Sequence, residues 1–300
     1  MAGGHRQVRE REASREVERI YYEAREVLRV TGVVGALRAW AAHERFLCAL
    51  WEAMGPNLET RAFEEAAEAL REEALEGAVA LGPLGAWGTA RLGESQAFHV
   101  RGALELYHYV QPKLLVLASA ARLALSDERV GRGLTPGSAE RIERGASPRM
   151  AALEWAPQPP RDARVAAVWD EVERTLGPPG VADEWRALGL WPDFLSAAWE
   201  RMGPRVLSED FTQAADALRL SARRAARGLP YRVALSHERV EALREDVAAV
   251  FRVTDALERR LPVQVLALAL LARDVPGVDV RPFPAPARLE PDWVAAEALT

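Results

Sequence analysis

Cysteine occurs once in the 300 residues, at Cys48, lysine once, at Lys113, and asparagine once, at Asn57. A lone thiol excludes a disulfide framework and a cysteine-based zinc cluster, and it fits a reducing, cytoplasmic setting. A basic excess is also missing: 39 Lys and Arg stand against 44 Asp and Glu, a net charge of −5, so nothing equips the chain to grip a phosphate backbone and no nucleic-acid partner is expected. The longest apolar runs, Leu114 to Ala121 and Val263 to Ala272, reach about half of a bilayer span and read as buried helices rather than membrane segments. The first residues are charged throughout and lack the apolar stretch and small-residue cleavage site of a secretory signal. His43-Glu44 and His237-Glu238 each open an HE pair, but Leu47 and Glu241 stand where the second zinc histidine would be. The Gly-rich stretch at 131–137 has neither GxGxxG spacing nor a preceding strand, and no GxSxG elbow occurs.

What is present is internal repetition. At a fixed offset of 148, Phe46-Leu47 answers Phe194-Leu195, Trp51-Glu52 answers Trp199-Glu200, and Met54-Gly55-Pro56 answers Met202-Gly203-Pro204. Gly32-Val33 likewise answers Gly180-Val181, and Ala69-Leu70-Arg71 answers Ala217-Leu218-Arg219. Within each copy the apolar positions follow a helical stripe, as in Phe63, Ala66, Ala67, Leu70 and Ala74, with Glu and Arg on the opposite face. Isoleucine and threonine are scarce, and no segment alternates with period two. The fold expected is all-α: a charged N-terminal segment over 1–16, helical repeats over 17–125 and 165–273, a long Gly/Pro-rich linker over 126–164, and a Pro-rich tail over 274–300 lying extended on the surface. Pro112 falls inside the helical run from Ala97 to Leu125, where its missing N–H should kink the helix beside Gln111, and Pro262 occupies an almost equivalent place in the second copy.

A repeat allows one sequence to be compared with itself. After the matched Gly-Val, the first copy has Gly35-Ala36-Leu37 and the second Asp183-Glu184-Trp185, so two carboxylates appear in copy two alone. They lie where a helix should begin and could be an N-cap and a first-turn acid stabilising the helix dipole. Equally, one of them could point into the cleft between the copies as a general base that polarises a water, a role worth about 10² to 10⁴ in rate. The second asymmetric position is Gln111, answered at an offset of 147 by Glu258. A side-chain amide beside a helix kink can hold a water with its carbonyl and its NH₂ at once.

With those residues in place, the chain resembles the group I 2-haloacid dehalogenases, the DehI-type halocarboxylic acid dehalogenase family, over about Tyr22 to Pro284. The matching pieces are Leu28-Arg29-Val30, Arg38, Leu47 and Trp51, Glu68 to Arg71, the Pro112-Lys113 step, Ala187 and Trp191-Pro192. The resemblance implies two helical repeats with the site in the cleft between them, and cofactor-free, metal-free hydrolysis of 2-haloalkanoic acids. An aspartate activates a water that an asparagine positions, and the water displaces halide at C2 with inversion. Carried over, the asparagine before Pro-Lys is here Gln111, and the aspartate before an aromatic is here Glu184 before Trp185, with Asp183 one step earlier. Both carriers are one methylene longer than the pattern. Where the family carries bulky aromatics in the first-copy wall, this chain has Gly32 and Gly35 around Val34, which implies a wider pocket. The expected site therefore comprises Glu184, Asp183 and Gln111 as catalytic groups, with Gly32, Val34, Gly35, Trp185 and Lys113 around a small carboxylic acid substrate. Lys113 could add to the field there, but a solvated lysine is the simpler reading of it. N–H donors near Gly32 and Gly180 could receive the substrate carboxylate, and Arg38 and Arg186, present in both copies, read as structural. A homodimer is a family-based expectation. The alternative is a catalytically silent helical-repeat protein that binds a small apolar or carboxylate ligand in the cleft. What separates the two is whether Gln111 and the 183–184 carboxylates converge.

Overall fold

The computed structural model describes residues 7–135, 137–177 and 180–288. The described residues form eleven α-helices joined by loops and two short 3-10 turns: α1 (Arg15–Leu28), α2 (Gly35–Trp40), α3 (Glu44–Leu58), α4 (Arg61–Ala80), α5 (Glu94–Ala124), α6 (Ala163–Leu176), α7 (Asp183–Leu188), α8 (Pro192–Val206), α9 (Glu209–Gly228), α10 (His237–Ala242) and α11 (Val247–Asp274). The only β-pairing among the described residues is two isolated bridges, Thr60 with Arg141 and Ile142 with Ala287.

The helices start where the sequence supplies caps. The Thr60 hydroxyl accepts from the Phe63 N–H at the head of α4, and the Ser208 hydroxyl accepts from the Phe211 N–H at the head of α9. Those two caps are 148 residues apart, and so are both ends of α1 and α6, of α2 and α7, of α3 and α8, and of α4 and α9. The long helices drop out of that register: α5 and α11 end 150 apart, as do Pro112 and Pro262 inside them.

Packing explains how a site can form between the halves. The long helices α5 and α11 lie against one another, and α4 and α9 pack on both of them, giving a central layer of four. The two short helices cross over: α2 packs on α11 and α7 packs on α5. The Trp40 indole N–H, at the end of α2, donates to Thr254 Oγ1 on α11 at 3.1 Å. Residues from the two halves are thereby interleaved along the α5–α11 seam.

Pro112 lies inside α5, which runs unbroken from Glu94 to Ala124 and is buried along most of its length from Leu104. One expectation is corrected. The described tail after α11, to residue 288, is non-helical, but it does not simply lie on the surface. Phe283 is buried edge-to-face against Tyr109, and Arg29 donates to the carbonyls of Phe283 and Pro284. Residues 289–300 lie outside the described chain.

Candidate active site

Glu184 is in the first turn of α7, and because α7 leans on α5 its side chain meets Gln111. Gln111 Nε2 donates to Glu184 Oε2 at 3.0 Å, with Glu184 1% exposed and Gln111 5%. The outer oxygens, Glu184 Oε1 and Gln111 Oε1, are both buried and have no hydrogen-bond partner among the described residues. Each is an acceptor left open beside one closed amide–carboxylate bond, and buried acceptors of this kind ordinarily find a donor. Burial pushes the Glu184 carboxyl up to about 7. Asp183 adds to the rise, while the Glu184 backbone N–H, the nearby Arg260 charge and the Gln111 bond all oppose it.

Asp183 has a different fate. One carboxylate oxygen accepts from the Gly35 N–H at 2.7 Å, and the other accepts from Arg38 Nη2 at 2.5 Å, in a fully buried ion pair. The start of α2 is thus an anion site filled by the protein's own aspartate. Gly35 therefore has no N–H to give a substrate carboxylate. Arg38 and Arg186 both lie over the ring of Trp155, at 4.6 and 5.2 Å, and the Trp155 indole N–H donates to Tyr107 Oη at 2.9 Å. A residue of the 126–164 segment is thereby wedged between equivalent arginines of the two halves.

A cavity of about 40 Å³ runs along the seam. Its lining includes Gly35, Ala36 and Ala39 of α2, Gln111 and Leu114 of α5, and Leu257, Arg260, Leu261 and Gln264 of α11, closed by Gly180 to Asp183. Glu184 stands one hydrogen bond behind this lining, reached through Gln111. Through Gln7, Gly180 and Val181 the cavity adjoins a vestibule of about 700 Å³ lined by Arg9, Arg11, Arg38 and Arg186.

The remaining expected residues are placed differently. Lys113 is neither solvated nor at the cavity: two residues beyond Gln111, about 200° around α5, it faces the other way. Its ammonium is 1% exposed, pairs with Glu64 at 2.6 Å, and donates to Tyr109 Oη and the Leu28 carbonyl. Gly32 does not widen the pocket, because Leu153 fills the space: a Cβ on Gly32 would meet Leu153 Cβ at 2.9 Å. Val34 is the buried N-cap of α2, and Trp185 packs edge-to-face on Trp199. Neither lines the cavity. The pairing of Gln111 with Glu258 at an offset of 147 is corrected: α5 and α11 run 150 apart, so Leu261 is the counterpart of Gln111, and Glu258 is taken up by a two-bond pair with Arg223.

Arg260 was not singled out in the sequence. It is one of many arginines, next to Arg259, and only its depth distinguishes it: it is 6% exposed, whereas its neighbour is exposed at the side chain and pairs with Asp255.

Comparison with known proteins bears on this arrangement. Residues 33–185 match the model of the family described as "Halocarboxylic acid dehydrogenase DehI". The chain is 28% identical over 228 residues to a configuration-inverting 2-haloacid dehalogenase of Pseudomonas sp. (strain 113), covering 74% of each. It is 26% identical over 214 residues to an (R)-2-haloacid dehalogenase of Rhizobium sp. (strain NHG3), covering 67% of this chain and 79% of the relative. In fold it is similar to a solved D-2-haloacid dehalogenase mutant in complex with D-2-CPA, at a TM-score of 0.78 and 18% identity over 90% of this chain and 95% of the other.

Proposed function

The chain belongs to the DehI family, and from that premise we propose that it is a hydrolytic dehalogenase that converts a small 2-haloalkanoic acid to the 2-hydroxy acid. The observation that carries this reading is the convergence of Gln111 and Glu184, with an unsatisfied oxygen on each. A water donating to Glu184 Oε1 and Gln111 Oε1 has both hydrogens engaged and a lone pair free. Its oxygen attacks C2 opposite the carbon–halogen bond, the halide leaves with the bonding pair, and the water proton passes to Glu184. Inversion at C2 follows. Glu184 is the base rather than Asp183, because both Asp183 oxygens are committed to Gly35 and Arg38. A carboxyl near 7 is a stronger base than an ordinary glutamate and is still substantially ionised at neutral pH. The extra methylene on both Gln111 and Glu184 is compensatory in this reading, since the two lengthened side chains still reach one another. The silent-binder alternative loses the feature that favoured it, because the substituted positions meet. The two helical copies and the linker between them form the scaffold that brings α5 and α7 together.

The test is halide release from racemic 2-chloropropionate by the purified protein. Wild type should release halide, Glu184→Gln should fall to background, and Gln111→Leu should lose about 10²-fold through a misplaced water. Turnover by Glu184→Gln at the wild-type rate would overturn the assignment of the base. Silence of the wild type on this acid and on longer 2-halo acids would overturn the activity.

A further inference from the structure

We propose that Arg260 is the anion seat of the inner cavity, and that it takes a small monovalent anion through the edge formed by its Nε and Nη2. Arg260 is only 6% exposed, yet its one hydrogen bond among the described residues is a long one, Nη1 to the Gly177 carbonyl at 3.3 Å. Among the described residues, Nε and Nη2 have no partner and no carboxylate lies within ion-pair distance. Buried guanidinium groups are ordinarily paired, because an uncompensated charge in a low-dielectric interior is costly. Here Glu184, Glu173 and Asp183 act on the charge only from beyond ion-pair distance, and the bare donors stand at a cavity wall, on the face of α11 that also carries Leu257, Leu261 and Gln264. Nε–H and Nη2–H point the same way, so together they form the side-on fork that grips a carboxylate with two parallel bonds. Gln264, one helical turn further along the same face, offers an amide to the same ligand.

Charge balance points the same way. The acid at the site, Glu184, ionises close to neutrality, and Asp183 is neutralised by Arg38. An incoming anion therefore faces repulsion from Glu184 that only a nearby cation can offset, and Arg260 is the cavity-lining cation with bare donors. Two anions have this chemistry in the reaction proposed above, the carboxylate of the acid and the departing halide. The inference rests on that reading for its ligand, but its test requires no turnover.

Binding is measured on the resting protein with two probes at fixed ionic strength. Propionate carries the carboxylate without halogen and is followed by saturation-transfer NMR. Chloride carries the halide alone and is followed by ³⁵Cl line broadening. At least one probe should bind wild type and should weaken at least tenfold in Arg260→Met. Arg260→Lys, which keeps the charge and loses the fork, separates the sources: propionate binding drops with it if the carboxylate is the ligand, while chloride broadening survives if halide is. Should Arg260→Met fail to fold by circular dichroism, Arg260→Lys and Gln264→Leu carry the test, and at least one of them must weaken the bound probe. Equal binding by wild type and Arg260→Met, or no binding of either probe to wild type, overturns the proposal. Intact anion binding in a protein that releases no halide would sink the dehalogenase reading and leave the seat in place.

Discussion

In the mechanism proposed above, holding Glu184 near 7 sets activity and stability against one another at a single side chain. The proposed base works only when ionised, so kcat/KM should rise with pH through an acid limb centred near 7 and level off above it. The fold, however, favours the protonated form, since the folded value lies above the ordinary 4.5. The folded protein thus binds more protons than the unfolded chain between about 4.5 and 7. The stability this contributes is fully present below 4.5 and is lost as pH rises through 7. Glu184→Gln keeps the bond from Gln111 and carries no charge to bury. It should be inactive and yet more stable than wild type at pH 8, by up to about 3 kcal/mol from the size of the shift, with the difference gone by pH 4. Urea unfolding at the two pH values checks this, and a variant less stable than wild type at pH 8 would contradict it. Asp183 and Glu184 could not be told apart from the sequence, because a first-turn acid and a general base have the same local pattern. What separates them is the partner each finds across the halves, Gly35 and Arg38 for one and Gln111 for the other.

The helices themselves were far more legible than their contacts. Stripes such as Phe63 to Ala74 and the 148 offset depend on local spacing, and the first four helices of each half start and end at matching positions. Legibility stops where long-range packing decides. Lys113 follows a proline and reads as solvated, but the fold sets Glu64 and Tyr109 around its ammonium. Gly32 reads as open space, but Leu153, over a hundred residues away in sequence, occupies it. The segment joining the halves reads as a mere spacer, and that reading misses Trp155, whose ring lies under both Arg38 and Arg186 and whose N–H reaches Tyr107. Trp155→Phe keeps an aromatic face and loses the hydrogen bond, so it should cost about 1 kcal/mol in urea unfolding. Trp155→Ala also loses the stacking area under two guanidinium groups and should cost about 3 kcal/mol. Equal effects of the two variants would mean that the ring contributes nothing beyond its N–H.

At the scale of the molecule, a net charge of −5 would repel the anionic substrate proposed above, whereas the lining of the vestibule is positive. Arg38 is neutralised there by Asp183, so the field comes chiefly from Arg9 and Arg11 beside the mouth and from Arg186, whose nearest acid is 3.8 Å away, with Glu10 and Glu12, the latter 3.9 Å from Arg11, as opposing charges. A mouth of this kind raises the encounter rate of small carboxylates without altering the chemistry behind it. Screening should expose the difference, since the Debye length shrinks from about 30 Å at 0.01 M salt to about 8 Å at 0.15 M. Over that range kcat/KM for a 2-haloacid should fall severalfold while kcat at saturation stays constant. Replacing Arg9 and Arg11 by serine should lower kcat/KM at low salt and flatten its salt dependence, because both side chains are exposed and neither touches the inner cavity. An uncharged 2-haloamide should show no such dependence with either protein. A salt response shared by the amide and the acid would mean that ions act on the fold, not on the approach of the substrate.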